Sequence, residues 1–482
     1  MTEKTQSDDK RLVVVSNRLP IAVGEEAGQW RIKPGSGGLV TALAPVIKAR
    51  QGLWIGWPGC GEGPPLDELF DNFGREQGYR LAAVPLSEEE EERYYRGFSN
   101  SALWPLFHDL LGNCRFRGDD WQTYLEVNRR FADVVASRTG EDDLVWVQDY
   151  QLIMVGAQLR ELGLRQKLAF FLHIPFPTHD LFRRLPWNRE ILTALLAYDL
   201  VGFQTLRDRR NFVNSAIALI PELQVERRQR AQTLIRYQGR IVRVGHFPIS
   251  IDFAEFNDAA RSQEVADAAW YLHENLEGRQ VMLGVDRLDY TKGIPERFRA
   301  FERALEKYPD LHRNISLLQV VVPSRTQVPD YQDLKQTLDR LSGRINSRFG
   351  EPGWIPIHYV FRSLERTQLL AHYRTSEIAL VTPLRDGMNL VAKEYCAASV
   401  ENNGVLILSE FAGAADQLGK HALLVNPYDV EGTADAMHRA FTMPGEERRR
   451  RMGMLRTQVR RYDVHHWVRS FLGALSTGTQ LP

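Results

Sequence analysis

The sequence predicts an α/β protein made of two doubly wound, Rossmann-like domains facing a central cleft. Three observations carry this. Eleven short apolar, β-branched runs recur along the chain: Leu12–Val15, Leu144–Val147, Leu168–Leu172, Leu200–Phe203 and Ile241–Val244, then Val281–Val285, Ile315–Val322, Ile355–Val360, Ile378–Val381, Val405–Leu408 and Leu423–Val425. Being apolar on both faces, they suit strands buried in parallel sheets, and the segments between them are long enough for crossover helices. Eleven strands are many for one open sheet, and 482 residues fit two or three domains of ordinary size.

Taken in order, the first strand runs into Ser16-Asn17-Arg18-Leu19-Pro20, and a glycine-rich turn, Pro34-Gly35-Ser36-Gly37-Gly38-Leu39, leads into an apolar helical stretch. Ser87 followed three residues later by Glu90 reads as a capping box opening a helix over Ser87–Phe98. His246-Phe247-Pro248-Ile249 closes the first set of strands, which puts the hinge near Pro248. Two basic clusters, Arg227–Arg243 and Arg448–Arg451 with Arg456, Arg460 and Arg461, read as solvated hairpin or helix faces.

Composition narrows the function. Lys plus Arg and Asp plus Glu are both 61, so the basic excess expected of a nucleic-acid binder is missing. Cys60, Cys114 and Cys396 are far apart, with no zinc spacing, and read as thiols in a reducing compartment. Met1–Lys10 is polar, and no apolar run approaches the ~18 residues of a membrane span, so a soluble cytoplasmic protein is expected.

In doubly wound sheets ligands bind beyond the strand carboxyl ends, and the unusual residues follow strands. Arg18 at a strand end suits a phosphate or carboxylate, or a surface ion pair. Glycines before a helix let backbone N–H groups approach a phosphate, or form an ordinary turn. In Val285–Gly293, Arg287 and Lys292 can clamp a diphosphate and stabilise charge building on it, or form a salt-bridged turn. In Thr382–Glu394 a helix begins near Asn389, either a capped helix with no ligand or a phosphate seat beside Asp386, a carboxylate able to hold sugar hydroxyls. Glu394, about one turn into that helix, can take a ribose diol. No D-x-D, G-x-S-x-G or H-E-x-x-H occurs, so a metal-chelating sugar-nucleotide site of the D-x-D kind is unsupported, and no cofactor is implied.

These residues, with Tyr94-Tyr95, Phe98-Ser99-Asn100, Leu103-Trp104-Pro105, His173-Ile174-Pro175-Phe176-Pro177 and Pro323-Ser324-Arg325, resemble the trehalose-6-phosphate synthase family. These are retaining glycosyltransferases of the GT-B fold, family 20 type, and the likeness runs from Arg11 to about Trp467. The resemblance implies that Arg18, Tyr95, Trp104, Asp149 and Arg325 hold glucose 6-phosphate. It implies that Gly37, Gly38, Arg287, Lys292, Gly387, Met388, Asn389, Leu390, Val391, Ala392, Lys393 and Glu394 hold the nucleotide-glucose, with a backbone contact to the base near Leu364. His173 and Asp386 would orient the donor glucose; Asp149, His173, Arg287, Lys292 and Asp386 form the catalytic set. Residues 1–248 would bind the acceptor and 249–462 the nucleotide sugar, with a final helix at about 463–482 packing back on the first domain. The commoner family pattern around Asp149 is H-D-Y-H-L; here Gln148 and Gln151 replace both histidines and cannot act as general bases.

The expected reaction moves glucose from a nucleotide-glucose, UDP-glucose being the favoured donor, to glucose 6-phosphate, giving α,α-trehalose 6-phosphate. Front-face attack is implied, the departing phosphate taking the acceptor's proton while domain closure excludes water. Rivals are a glucosylglycerol-phosphate synthase, which should lack the glucose 6-phosphate set; a non-catalytic regulatory relative, which should lack Arg287, Lys292 or Asp386; and a pseudo-glycosyltransferase forming C–N bonds. Expected alongside are a role in osmoprotection and stress response, a separate trehalose-6-phosphate phosphatase, no nucleic-acid or membrane partner, and a homo-oligomer as an open state.

Overall fold

The computed structural model describes residues 10–26, 29–35, 38–60, 65–229, 232–275, 279–325 and 328–476. The chain divides into two compact units, one reaching to Pro248 and resuming at Trp467, the other spanning Ile249–His466.

The first unit is built on a nine-stranded sheet. Its spatial order is Arg80–Ala83, Leu53–Trp57, Leu12–Arg18, Leu144–Gln148, Lys167–Phe171, Leu200–Phe203, Arg240–His246, Gln232–Tyr237 and Gln224–Arg228. The first seven run parallel; the last two turn back antiparallel at the edge. The Leu144–Gln148 strand is buried at every position, as a continuously apolar strand covered on both faces must be. The 227–243 basic cluster is this antiparallel edge. Its charged Gln224–Arg228 strand is the kind of edge that resists pairing with other chains. A separate hairpin pairs Ile21–Glu26 with Gln29–Pro34.

The second unit holds a six-stranded parallel sheet in the order Ile357–Phe361, Ile315–Val322, Gln280–Arg287, Ile378–Val381, Val405–Ser409 and Leu423–Val425. Phe298, Phe301, Leu317, Leu338, Trp354 and Ile407 lie in its buried core.

Both sheets have a switch point. In the first, the chain steps from Leu12–Arg18 outward to Leu53–Trp57 and then returns to place Leu144–Gln148 on the other side. In the second, it steps from Gln280–Arg287 through Ile315–Val322 to Ile357–Phe361, then returns to Ile378–Val381. Diverging connections leave a crevice at the strand carboxyl ends there.

Three expectations change. The strand expected at Ile355–Val360 starts at Ile357, because Pro356 has no N–H and Ile355 is half exposed. The capping box at Ser87 and Glu90 forms, but the α-turn it caps is short and continues as a π-helix over Glu91–Leu103. The 448–461 cluster is not wholly solvated: Arg448 bonds the carbonyls of Ala440, Phe441 and Met443, and Arg456 those of Cys396 and Ala397. Each buried guanidinium caps a helix carboxyl end, where orphan carbonyls and the negative end of the dipole favour a cation. The three cysteines are free thiols, and burial pushes Cys396 up to about 12.

Candidate functional site

In the first unit, the switch point gathers Arg18, Asp149 and His173 at the ends of three neighbouring strands. Arg18 is exposed, its guanidinium 4.4 Å over the Trp57 ring. That stacking holds the fork by cation–π attraction while leaving it open to solvent. The π-helix brings the aromatic set alongside. Its wide turn is closed by Asn100 Nδ2 donating to the Tyr95 carbonyl, and Tyr94 Oη donates to Oδ1 of Asn17, the residue before Arg18. Tyr95 is half-buried, and the buried Trp104 ring lies 5.7 Å from Tyr150. The Tyr150 hydroxyl in turn donates to Asn100 Oδ1 at 2.8 Å.

Asp149 follows the Leu144–Gln148 strand with φ +74, and its Oδ1 accepts the His173 backbone N–H at 3.1 Å. The two predicted residues are thus fixed to each other. The His173 ring lies against Phe171 and Trp467, and Gln148 Oε1 stands 2.8 Å from its Nε2. Burial pushes the imidazole down to about 3, so it works as a neutral hydrogen-bonding group.

In the second unit, Arg287 ends its strand exposed, and Lys292 follows in a turn. Lys292 Nζ pairs with Asp386 Oδ2 at 2.5 Å, and Asn389 Nδ2 reaches the same oxygen at 3.2 Å. Two glycines allow this closeness. Gly293, at φ +64, brings the lysine turn against the Thr382 carbonyl, where a Cβ would stand 2.5 Å away. Gly413 lies flat against the Gly387 carbonyl, a place where no Cβ fits. Helix Leu390–Ala398 begins directly after Asn389, whose own φ is +70.

Within that helix the expected donor residues divide. Met388 and Ala392 are buried, while Leu390 and Val391 are half-buried at its amino end. Lys393 turns inward: Nζ donates to the Ile249 carbonyl at 2.7 Å and Gln417 Oε1 at 2.6 Å, and burial pushes it down to about 7. Its side chain braces the helix, so only its backbone faces the expected phosphate seat. Glu394 accepts from the Tyr373 hydroxyl at 2.8 Å, and burial raises its carboxyl. Leu364 follows the Ile357–Phe361 strand. Gly38 opens helix Gly38–Ala49, whereas Gly37 lies outside the described residues.

Asp289 is what sequence reasoning missed. Its carboxylate, 2% exposed, accepts Thr291 N–H and Oγ1 on Oδ1, while Arg325 Nη1 lies 3.8 Å from Oδ2. Burial pushes this carboxyl up, but Arg325, Lys292 and Arg287 together outweigh it and hold it below the usual range. Arg325, Lys292 and Arg287 thus share one counter-charge. Arg325 also donates to Tyr331 Oη at 2.5 Å and holds φ +48. The only sequence signal was the Asp beside Arg287 and Lys292 in one short loop.

The pattern of Glycosyltransferase family 20 matches residues 10–477. This chain belongs to that family. Trehalose-6-phosphate synthase of Mycolicibacterium vanbaalenii is 44% identical over 480 residues, covering 98% of this chain and 97% of that protein. Among solved structures, a UDP-forming α,α-trehalose-phosphate synthase from Burkholderia xenovorans in complex with glucose-6-phosphate has a TM-score of 0.85 at 37% identity, covering 96% of this chain and 99% of that one. A structure from E. coli bound with UDP-2-fluoro glucose has a TM-score of 0.87 at 38% identity, covering 98% and 100%. A family 20 glycosyltransferase with an α/β fold of parallel sheets is therefore what the sequence motifs led one to expect, and no helix among the described residues is long and apolar enough to cross a membrane.

Proposed function

We propose that this family 20 enzyme transfers glucose, with retention, from UDP-glucose to glucose 6-phosphate, giving α,α-trehalose 6-phosphate and UDP. The observation that carries the donor half is the second switch point. There Arg287, Lys292 and the amino end of helix Leu390–Ala398 supply positive charge suited to a diphosphate, and Asp386, paired with Lys292, supplies a carboxylate for sugar hydroxyls. The relatives named as UDP-forming synthases support the same donor.

In this reading residues up to Pro248 form the acceptor-binding domain and the following unit the nucleotide-sugar domain. Arg18, Tyr95, Trp104, Asp149 and Arg325 take glucose 6-phosphate. Gly37, Gly38, Arg287, Lys292, the backbone of residues 387–393, Glu394 and the Leu364 backbone take UDP-glucose. His173 and Asp386 orient the transferred sugar. No residue of this set is assigned as a nucleophile on the face opposite the leaving group. The protein instead orients the two sugars and stabilises the diphosphate as the glycosidic bond breaks, the departing phosphate oxygen receiving the acceptor's proton. The product keeps its phosphate ester, so a phosphatase is the activity that would consume it, and we place both in the cytoplasm.

Activity should survive exhaustive chelation, because cations and a helix end do the work a metal would do. Rates measured before and after EDTA treatment test this, and a complete loss reversed by magnesium would sink it. The acceptor assignment is tested by Arg18→Ala and Arg325→Ala. Each leaves the phosphate's charge under-paired, at a cost of about 2–5 kcal/mol in a desolvated site. Each should raise KM for glucose 6-phosphate far more than KM for UDP-glucose. Equal effects on both substrates, or efficient use of glycerol 3-phosphate by the parent, would favour a glucosylglycerol-phosphate synthase.

A further inference from the structure

We propose that Gln148 is a positioning residue that locks His173 as its Nε2–H tautomer, so that Nδ1 is presented to the donor sugar as a hydrogen-bond acceptor. The proposal deepens the donor-site reading of His173 and rests on it.

Gln148 ends its strand fully buried, with Oε1 2.8 Å from His173 Nε2. A carboxamide oxygen only accepts, so in this arrangement the ring proton must sit on Nε2. His173 Nδ1 then has no protein partner among the described residues and is an acceptor. With the amide turned over, its nitrogen would donate to a bare Nε2, the proton would move to Nδ1, and the ring would offer a donor instead. The two arrangements show a sugar hydroxyl opposite polarity.

The structure holds the first of them, with Oε1 toward the ring. Gln148 Nε2 is a buried polar atom without a hydrogen-bond partner. Gln148 shares its strand face with Trp146, which stacks on Phe471 at 4.3 Å and lies 5.2 Å from Trp467. The neighbouring carboxylate, Asp149, accepts the His173 backbone N–H on Oδ1.

The test is histidine-selective 15N NMR on the full-length protein, with His173 assigned by loss of its signals in His173→Ala. The parent should show an Nε2–H imidazole. Gln148→Leu should give a mixture or the Nδ1–H form, and should raise KM for UDP-glucose about tenfold, the worth of one misplaced hydrogen bond. Gln148→Glu, nearly isosteric and a safeguard should the leucine variant fail to fold, should keep the proton on Nε2 and hold the ring as an imidazolium to higher pH. An Nδ1–H parent, or a tautomer unmoved in Gln148→Leu, overturns the proposal. A tautomer that switches while KM for UDP-glucose stays constant leaves the lock standing and overturns the donor-site reading of His173.

Discussion

Arg287→Ala is expected to lower turnover on the order of 10²-fold or more while leaving the fold intact, from lost charge stabilisation in the transition state. The structure says why this cation should matter most. Lys292 is paired with Asp386, and Arg325 lies against Asp289 and Tyr331. Arg287 is exposed at its strand end and forms no hydrogen bond or ion pair among the described residues, so Asp289 acts on it through charge alone and its fork is open. A guanidinium held ready at the switch point meets developing negative charge without first giving up a partner. Initial rates at saturating substrates measure the effect, and circular dichroism with a thermal melt checks folding. A variant with near-normal kcat would remove Arg287 from the catalytic set. A fall in kcat accompanied by an equal loss of folded protein would make the residue structural.

The second large effect concerns stability. Arg297, fully buried, pairs with Asp286, donates from Nη1 to Gln319 Oε1 at 2.8 Å and from Nε to Thr382 Oγ1 at 3.0 Å. Asp286 and Gln319 lie on two adjacent strands and Thr382 directly follows a third. One side chain thus ties three strands together just beneath the loops that carry Arg287 and Asp386. Arg297→Leu strands a buried carboxylate and should cost about 3–5 kcal/mol, which for a domain of this size lowers the melting temperature by roughly 10 °C. Replacing Asp286 by Leu as well should restore much of the loss, because an apolar pair leaves no uncompensated charge. Thermal melts of both single variants and the double variant give the coupling. Additive losses would show that the pair is not a unit.

How far the sequence reached depended on whether a signal was local. Ile315–Val322 and Val405–Ser409 were legible because burial on both faces leaves a continuous apolar run. Gln224–Arg228 and the Ile21–Glu26 hairpin were not, since a solvated edge keeps charges that look like loop. Leu53–Trp57 was hidden by Gly56, which breaks the β-branched pattern yet sits where a side chain would strike the Arg18–Leu19 backbone. The site divided the same way. Arg18, Arg287, Lys292 and Asp386 announce themselves by following strands. The Lys292–Asp386 pair, the shared counter-charge of Asp289 and the inward turn of Lys393 are set by contacts between residues far apart in the chain. The π-helix escaped because a capping box specifies where a helix starts and not how its later turns are wound.

Asp149, Arg325 and Asn389 all hold positive φ, a region that costs a non-glycine residue about 1–3 kcal/mol. Glycine would adopt the same backbone with less strain. A search for heat-resistant variants scored by melting temperature alone would therefore be drawn to Asn389→Gly, whereas Asp149→Gly and Arg325→Gly would also discard contacts to the His173 backbone and the buried Asp289, and all three would remove groups proposed above to meet the substrates. Any effort to harden this enzyme should screen those three positions by turnover and look for its gains elsewhere.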